Sequence, residues 1–248
     1  MRIRSYCIIA ILFCGFAFSG CFEIYYDIVQ NTDDTFLIRQ TVGLSNTFFE
    51  GIADLSNLGG GDSTKFSRQM IIDSIRHTFA LRRDSLTQIH HLIGMNGISA
   101  FSVRDTTIDT MTYFSFESTV ANADSLPGAF RLMSNMSEVM RPSNEEEDTE
   151  DVRLFVNRTK SKTTLMFKAP QKAEGFMSID IPGLTENFKN ISMHYRVFSA
   201  ALEWPAGKQI KQIPGGQERV FGLSDLLKKG RQSHLDATFA IKNIALTH

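Results

Sequence analysis

Along much of this chain apolar and polar side chains alternate with period two, the pattern of strands that bury one face. It is cleanest near the start. Phe22, Ile24, Tyr26 and Ile28 fall on one side, and Glu23, Tyr25 and Asp27 on the other. After the turn-forming Asn31-Thr32-Asp33-Asp34, Phe36, Ile38 and Val42 oppose Arg39 and Thr41. The two runs predict a β-hairpin over 22–30 and 35–44. Ile98, Phe101 and Val103 predict a further strand. In 111–120, Phe114, Phe116 and Val120 share a face with Thr112 and Ser118, and the stretch Asp105–Asp109 reads as the link between the two. Val152, Leu154 and Val156, then Leu165 and Phe167, predict a hairpin with a basic turn, Arg158-Thr159-Lys160-Ser161-Lys162. Phe176–Ile181, Met193–Val197 and residues 235–246 complete the extended set, with a tight turn expected at Pro214-Gly215-Gly216.

One stretch switches to helical spacing. Ile72, Ile75, Phe79, Leu86, Ile89 and Ile93 form a stripe over 67–93, interrupted by Arg82. Ser67 suits its cap and Gly94 its stop. Shorter helices are expected from Ser45 to Leu58, from Ser125 to Met136 with Pro127 in the first turn, and over Asp225–Lys229 behind Ser224. The sum is an α+β fold: a mainly antiparallel sheet of hairpins, with one long amphipathic helix and a few short helices packed on it. No fixed-period repeat is visible. Residues 141–151 are the most acidic segment, expected as a solvated mobile loop within one domain.

The first twenty residues stand apart. Arg2 and Arg4 precede an apolar run from Cys7 to Phe18, then Ser19 and Gly20. That is the order of a secretory signal, and the run is shorter than the roughly 20 residues a membrane span needs. Ser19-Gly20-Cys21 resembles the lipobox of bacterial lipoproteins, although Phe18 stands where Leu is usual. The resemblance implies removal of residues 1–20, diacylation of the Cys21 thiol and acylation of the new amino group. Residues 21–248 would then be a single anchored domain. Phe22 follows Cys21 directly, so almost no tether separates the expected anchor from the first strand.

Composition narrows this further. The chain has 3 cysteines, Cys7, Cys14 and Cys21. Two leave with the signal, so the mature chain has no disulfide to form and one thiol for the lipid. The full-length net charge of −1 becomes −3 once Arg2 and Arg4 are removed. No basic excess points to nucleic acid. The 20 phenylalanines suit a packed core or the lining of an apolar cavity.

Catalytic signatures are lacking in the sequence. Gly59-Gly60-Gly61-Asp62-Ser63-Thr64-Lys65 reverses the order of a phosphate loop. His90 and His91 are adjacent, not i,i+4, and HExxH spacing is absent. The acidic run lacks calcium-loop spacing. We therefore expect no enzyme, no cofactor and no metal. The order of lipobox, hairpins, helix and sheet over 21–200 resembles small α+β lipoproteins related to the mycobacterial phagosomal-regulator lipoproteins, which implies lipid contact. The expected partners are the membrane, through acyl chains on Cys21, and a lipid or other apolar ligand. The alternative is an envelope protein-interaction or assembly module. Phe22, in place of an Asp after the cysteine, implies by the same resemblance an outer-membrane location facing the periplasm.

Overall fold

The computed structural model describes residues 22–50, 53, 67–88, 97–99, 101–134, 152–168, 192–204, 209–222, 225 and 236–243. The fold is α+β and dominated by sheet. Among the described residues the ten strands are β1 (Phe22–Gln30), β2 (Phe36–Ser45), β3 (Ser102–Ile108), β4 (Met111–Val120), β5 (Arg153–Arg158), β6 (Lys162–Lys168), β7 (Ser192–Phe198), β8 (Ile210–Ile213), β9 (Gly216–Gly222) and β10 (Ala237–Lys242). Two helices are α1 (Arg68–Gln88) and α2 (Leu126–Ser134).

The strands make two sheets. Seven run in the order β3-β4-β2-β1-β7-β9-β8, and three in the order β10-β6-β5. The expected β1–β2 hairpin is present, with Ile24 opposite Val42 and Ile28 opposite Ile38. One pairing departs from the expected pattern of hairpins. β1 lies parallel to β7, with Asp27 beside Arg196, so the first strand is internal to the large sheet.

One face of the large sheet is the core. Ile24, Tyr26 and Ile28 of β1 join Phe36 and Ile38 of β2, Phe116 of β4 and Met193, Tyr195 and Val197 of β7. The small sheet and α2 close over them. Phe167 of β6 stacks on Tyr195 with ring centroids 4.7 Å apart. Phe130 of α2 meets Tyr26 at 5.3 Å and Phe167 at 5.7 Å. Each such buried aromatic contributes about 1.5–3 kcal/mol by leaving water. A second cluster sits on the same sheet face, where Ile72 of α1 packs with Leu44, Phe49 and Phe114.

Several expectations need correction in detail. Asp105–Ile108 belongs to β3 instead of forming a link, because the turn needs only Asp109 and Thr110, with Asp109 in the left-handed region at φ 52°. Asp tolerates that region better than most residues. The cap before α2 is Asn122 in place of Ser125. Its side chain accepts from the Ser125 amide, and a short 3-10 turn, Ala123–Ser125, leads into the helix. β9 was not foreseen as a strand. Helix α1 has 21 residues, and it makes its apolar contacts through Ile71, Ile72, Ile75 and Phe79, while Leu81 is exposed. The expected continuation of the stripe through Ile89 and Ile93 lies outside the described residues, so a long amphipathic face is not established. Ser45 does cap a helical turn at 46–50, accepting from the Phe48 amide at 3.2 Å.

The sheet has two ends. One carries Phe22, Ser45, the β3–β4 turn, Ser192 and Gly222, which the registers align. The other carries the β1–β2 turn, Val120 with the following Asp124, Phe198 and Gly216. The basic β5–β6 turn lies at this second end. Arg158 is 4.0 Å from Asp124, and Lys162 is 4.0 Å from Glu203.

Candidate functional site

The other face of the large sheet gathers most of the chain's organised polar chemistry. Period two puts Glu23, Tyr25 and Asp27 of β1 on it. The register then sets Arg39 and Arg196 on either side of Asp27, Glu117 beyond Arg39, and Glu218 beyond Arg196. Adding Ser102 on β3 and Lys211 on β8 gives one transverse row, with acid and base alternating from Glu117 to Lys211. Like charges directly opposite would destabilise the sheet, and here each neighbour has the other sign.

The centre of the row is Asp27, whose side chain is 3% exposed. Arg196 holds it bidentately, Nε to Oδ1 at 2.7 Å and Nη2 to Oδ2 at 2.8 Å. Arg39 Nη1 stands 3.9 Å away on the other side. Arg39 also donates from Nε to Glu117 Oε2 at 3.0 Å, and Arg104 reaches Glu117 Oε1 at 2.7 Å. Burial opposes the charge on Arg196. The hydrogen bonds to Asp27, with the charges of Asp27, Tyr25 and Glu218, outweigh it, and the guanidinium's pKa is raised. Its plane lies over the Tyr25 ring at 4.1 Å, a cation–π contact that a lysine would make less well.

Towards the Phe22 end the row gives way to hydroxyls and one imidazole. Tyr25 donates to Glu23 Oε2 at 2.7 Å, and Tyr113 donates to the same oxygen at 3.4 Å. Tyr113 reaches across because Gly43 lies beneath it. A Cβ there would come within 2.8 Å of Tyr113 Cε1. Burial, then the bond to Glu23, pushes the Tyr25 phenol well above its usual pKa. Burial, then the Glu23 charge, raises Tyr113. Both phenols are therefore fixed as donors at neutral pH.

His194 stacks on Tyr25 with centroids 4.3 Å apart. Its Nδ1 is 2.8 Å from Glu218 Oε1, and its Nε2 is 2.8 Å from Ser192 Oγ. A carboxylate only accepts, so Nδ1 carries a hydrogen towards Glu218. Hydroxyl, imidazole and carboxylate thus stand in the order of a nucleophilic triad. Two features argue against that chemistry. Ser192 and His194 are two residues apart on one strand, so strand periodicity alone brings them together. Glu23 is the β1 neighbour of Ser192, so an oxyanion formed at Ser192 would develop beside a carboxylate whose nearest donors already serve it. The arrangement orients side chains on a sheet face.

The sequence pattern places Glu23, Tyr25, Asp27, Arg39 and Thr41 on polar strand faces, and none of them is marked as a site by it. Of the residues it did single out, Cys21 lies outside the described residues, one position before β1. The expected signal peptide 1–20, the glycine run at 59–61, His90, His91 and the acidic segment 141–151 also lie outside them. Among the described residues no group of three or more His, Cys, Asp or Glu could hold a metal ion. Among them, too, no helix is long and apolar enough to cross a membrane.

The fold and face define a two-sheet α+β domain with a charged, hydrogen-bonded outer surface. No family model matches the chain, and no curated protein matches it. Among solved structures it is similar to the NMR structure of the folded domain of the Mycobacterium tuberculosis protein LppM. The identity is 13%, the coverage 90% of each chain and the TM-score 0.42. At that score the likeness carries no argument about fold or role.

Proposed function

We propose that this chain is a bacterial lipoprotein: residues 1–20 are its signal peptide, Cys21 carries the acyl chains, and the domain acts by binding, without catalysis. The observation that carries the reading is the continuity of lipobox and sheet. Ser19-Gly20-Cys21 ends one residue before β1, a strand paired on both sides. Two or three acyl chains, at about 0.8 kcal/mol per buried methylene, make such an anchor effectively permanent. Phe22 after the cysteine favours the outer membrane. The test is mass spectrometry of the N-terminal peptide from native membranes, with fractionation of wild type against Cys21→Ala. An acylated peptide beginning at Cys21, and loss of membrane association in the variant, are expected. A mature chain beginning elsewhere would refute the reading.

Within this reading the ligand is apolar, as a lipid is, and lies between the two sheets. What supports it is Tyr195. Its side chain is fully buried against Phe167 and Phe221, and its hydroxyl has no hydrogen-bond partner among the described residues. Such an orphan costs about 1–3 kcal/mol, and a ligand oxygen would satisfy it. The second reading is an envelope protein docked on the charged face, favoured by the row through Asp27, which no described helix covers. Native mass spectrometry of the acylated protein separates the two. A retained small molecule, lost in Tyr195→Phe, supports the first; a crosslinked protein partner lost in Arg196→Ala supports the second.

A further inference from the structure

Cys21 and the strand it precedes fix more than proximity to a membrane; they fix which end of the domain meets it. The Phe22 end of the large sheet also carries the β3–β4 turn, since Ser45 pairs with Met111 and Ile108 pairs with Met111. Asn46 donates to the Thr110 carbonyl at 2.8 Å, which ties the helical turn at 46–50 to the same place. Phe49 in that turn packs with Ile72 of α1, and Arg68 lies over the Phe49 ring at 6.0 Å. The start of α1 therefore belongs to this end as well.

Two large apolar side chains stand out in solvent there. Ile108 is 56% exposed and Met70 47% exposed. Tyr113, half-buried near the turn, adds a ring of the kind that settles at membrane interfaces. Among the described residues the charged groups at this end include Glu23, Glu50, Asp109 and Asp225, with Arg68 beside them, so attraction to anionic headgroups is not what would hold it. The basic turn Arg158–Lys162 and the 85% exposed Trp204 lie towards the opposite end, through the Lys162–Glu203 contact. β1 alone, at 9 residues, separates the two ends by about 30 Å.

We propose that the Phe22 end of the domain rests on the bilayer surface, with Ile108 and Met70 inserted at the level of the headgroups and the basic turn held away from the membrane. The proposal rests on acylation of Cys21, which removes the freedom that would let another face meet the lipid. The contact is apolar and shallow. It depends little on ionic strength or on lipid charge, as follows when buried apolar area drives interfacial contact.

The test uses the acylated mature protein in phosphatidylcholine vesicles, with intact mass recorded first. Cys7 and Cys14 leave with the signal, and the Cys21 thiol is occupied, so an introduced cysteine is the free thiol available for an environment-sensitive dye. Ile108→Cys and Met70→Cys are compared with Thr159→Cys in the basic turn. Trp204, the chain's 1 tryptophan, reports the far end without labelling. The expected result is a blue-shifted dye at 108 and 70, quenched by lipids brominated near the headgroup roughly threefold more strongly than the dye at 159, with Trp204 unquenched. The pattern should persist in 0.5 M salt. Equal quenching at all three dye positions, or quenching of Trp204 alone, in protein of the acylated mass overturns the proposal while leaving the lipoprotein reading intact. A mass without acyl chains, with dye also on Cys21, sinks the lipoprotein reading, and the proposal with it.

Discussion

Removing the Asp27 carboxylate is the sharpest perturbation of the charged face. In Asp27→Ala the Arg196 guanidinium loses both hydrogen bonds, at 2.7 and 2.8 Å, and Arg39 loses its second acid. Breaking a buried pair by deleting one partner costs about 3–5 kcal/mol, because a charge is left without compensation. Arg196 keeps 25% of its side-chain exposure, so water takes up part of that loss, and we expect about 2–3 kcal/mol. For a domain of this size that lowers Tm by about 5–10 °C. Urea unfolding should be followed by near-UV circular dichroism of the tyrosines. Trp204 is 85% exposed, so its fluorescence changes little on unfolding. A double-mutant cycle with Arg196→Met isolates the pair, and its coupling should exceed about 1 kcal/mol. The pair is partly shielded from solvent, so the coupling should survive 0.5 M salt better than a surface bridge would. A cost below about 0.5 kcal/mol for Asp27→Ala, the level of an ordinary surface substitution, would refute the argument.

Three further outcomes follow from the same geometry. Gly43→Ala drives a methyl into Tyr113, whose Cε1 would be 2.8 Å away; a loss of about 1–2 kcal/mol is expected, mostly abolished in a Tyr113→Ala background. Gly216→Ala should cost more, because its Cβ would meet the Val197 carbonyl, which is backbone and cannot swing aside; chemical denaturation ranks the two, and equal costs would contradict the geometry. Tyr25, Tyr113 and Tyr195 all have phenol pKa values raised above 10.0 by burial first of all. A folded pKa above the unfolded one means stability is intact below about pH 10 and falls as pH rises beyond it. Absorbance titration near 295 nm should show these phenols ionising later in native than in urea-unfolded protein, and coincident curves would count against the burial argument.

The sequence made β1, β2, β4, β6 and β7 legible because each keeps an apolar face towards one core. Ile24, Tyr26 and Ile28 alternate with polar neighbours, and Met193, Tyr195 and Val197 do the same. β9 hid because its inward face is itself polar. Gln217 is buried and donates to the Glu203 carbonyl at 2.6 Å, and Arg219, also buried, reaches the Gln209 carbonyl at 3.4 Å. Two buried polar side chains on the inward face erase the hydrophobic period. β3 is an edge strand with mostly exposed positions, so the expected strand through Ile98, Phe101 and Val103 caught only its start, and the rest of it read as a link. The charged row was hidden for another reason. Its members come from positions 27, 39, 117, 196 and 218, and only register brings them together. The parallel pairing of β1 with β7 is a long-range event with no local signal. Polar residues on a strand's outer face are ordinary, and the ordering of their charges is a property of the assembled sheet.

That assembly has a consequence for what the face can sense. Asp27 lies five residues beyond Phe22 along β1, about 17 Å at strand rise. With the Phe22 end on the bilayer, the charged row stands that far above the lipid. The screening length at physiological salt is about 8 Å, so headgroup charge is damped roughly eightfold at the row. Partner choice on this face would then depend on the row's own pattern of Glu117, Arg39, Asp27, Arg196 and Glu218, and little on the lipid beneath. Strand β1 bonds on both sides, to β2 and β7, so if Cys21 is acylated as proposed, a pull on it would run along β1 and load both sets of hydrogen bonds in shear. Asp27 sits on that same strand and clasps an arginine from each neighbour. The charged row therefore braces β2, β1 and β7, the three strands that would bear the load of the proposed anchor.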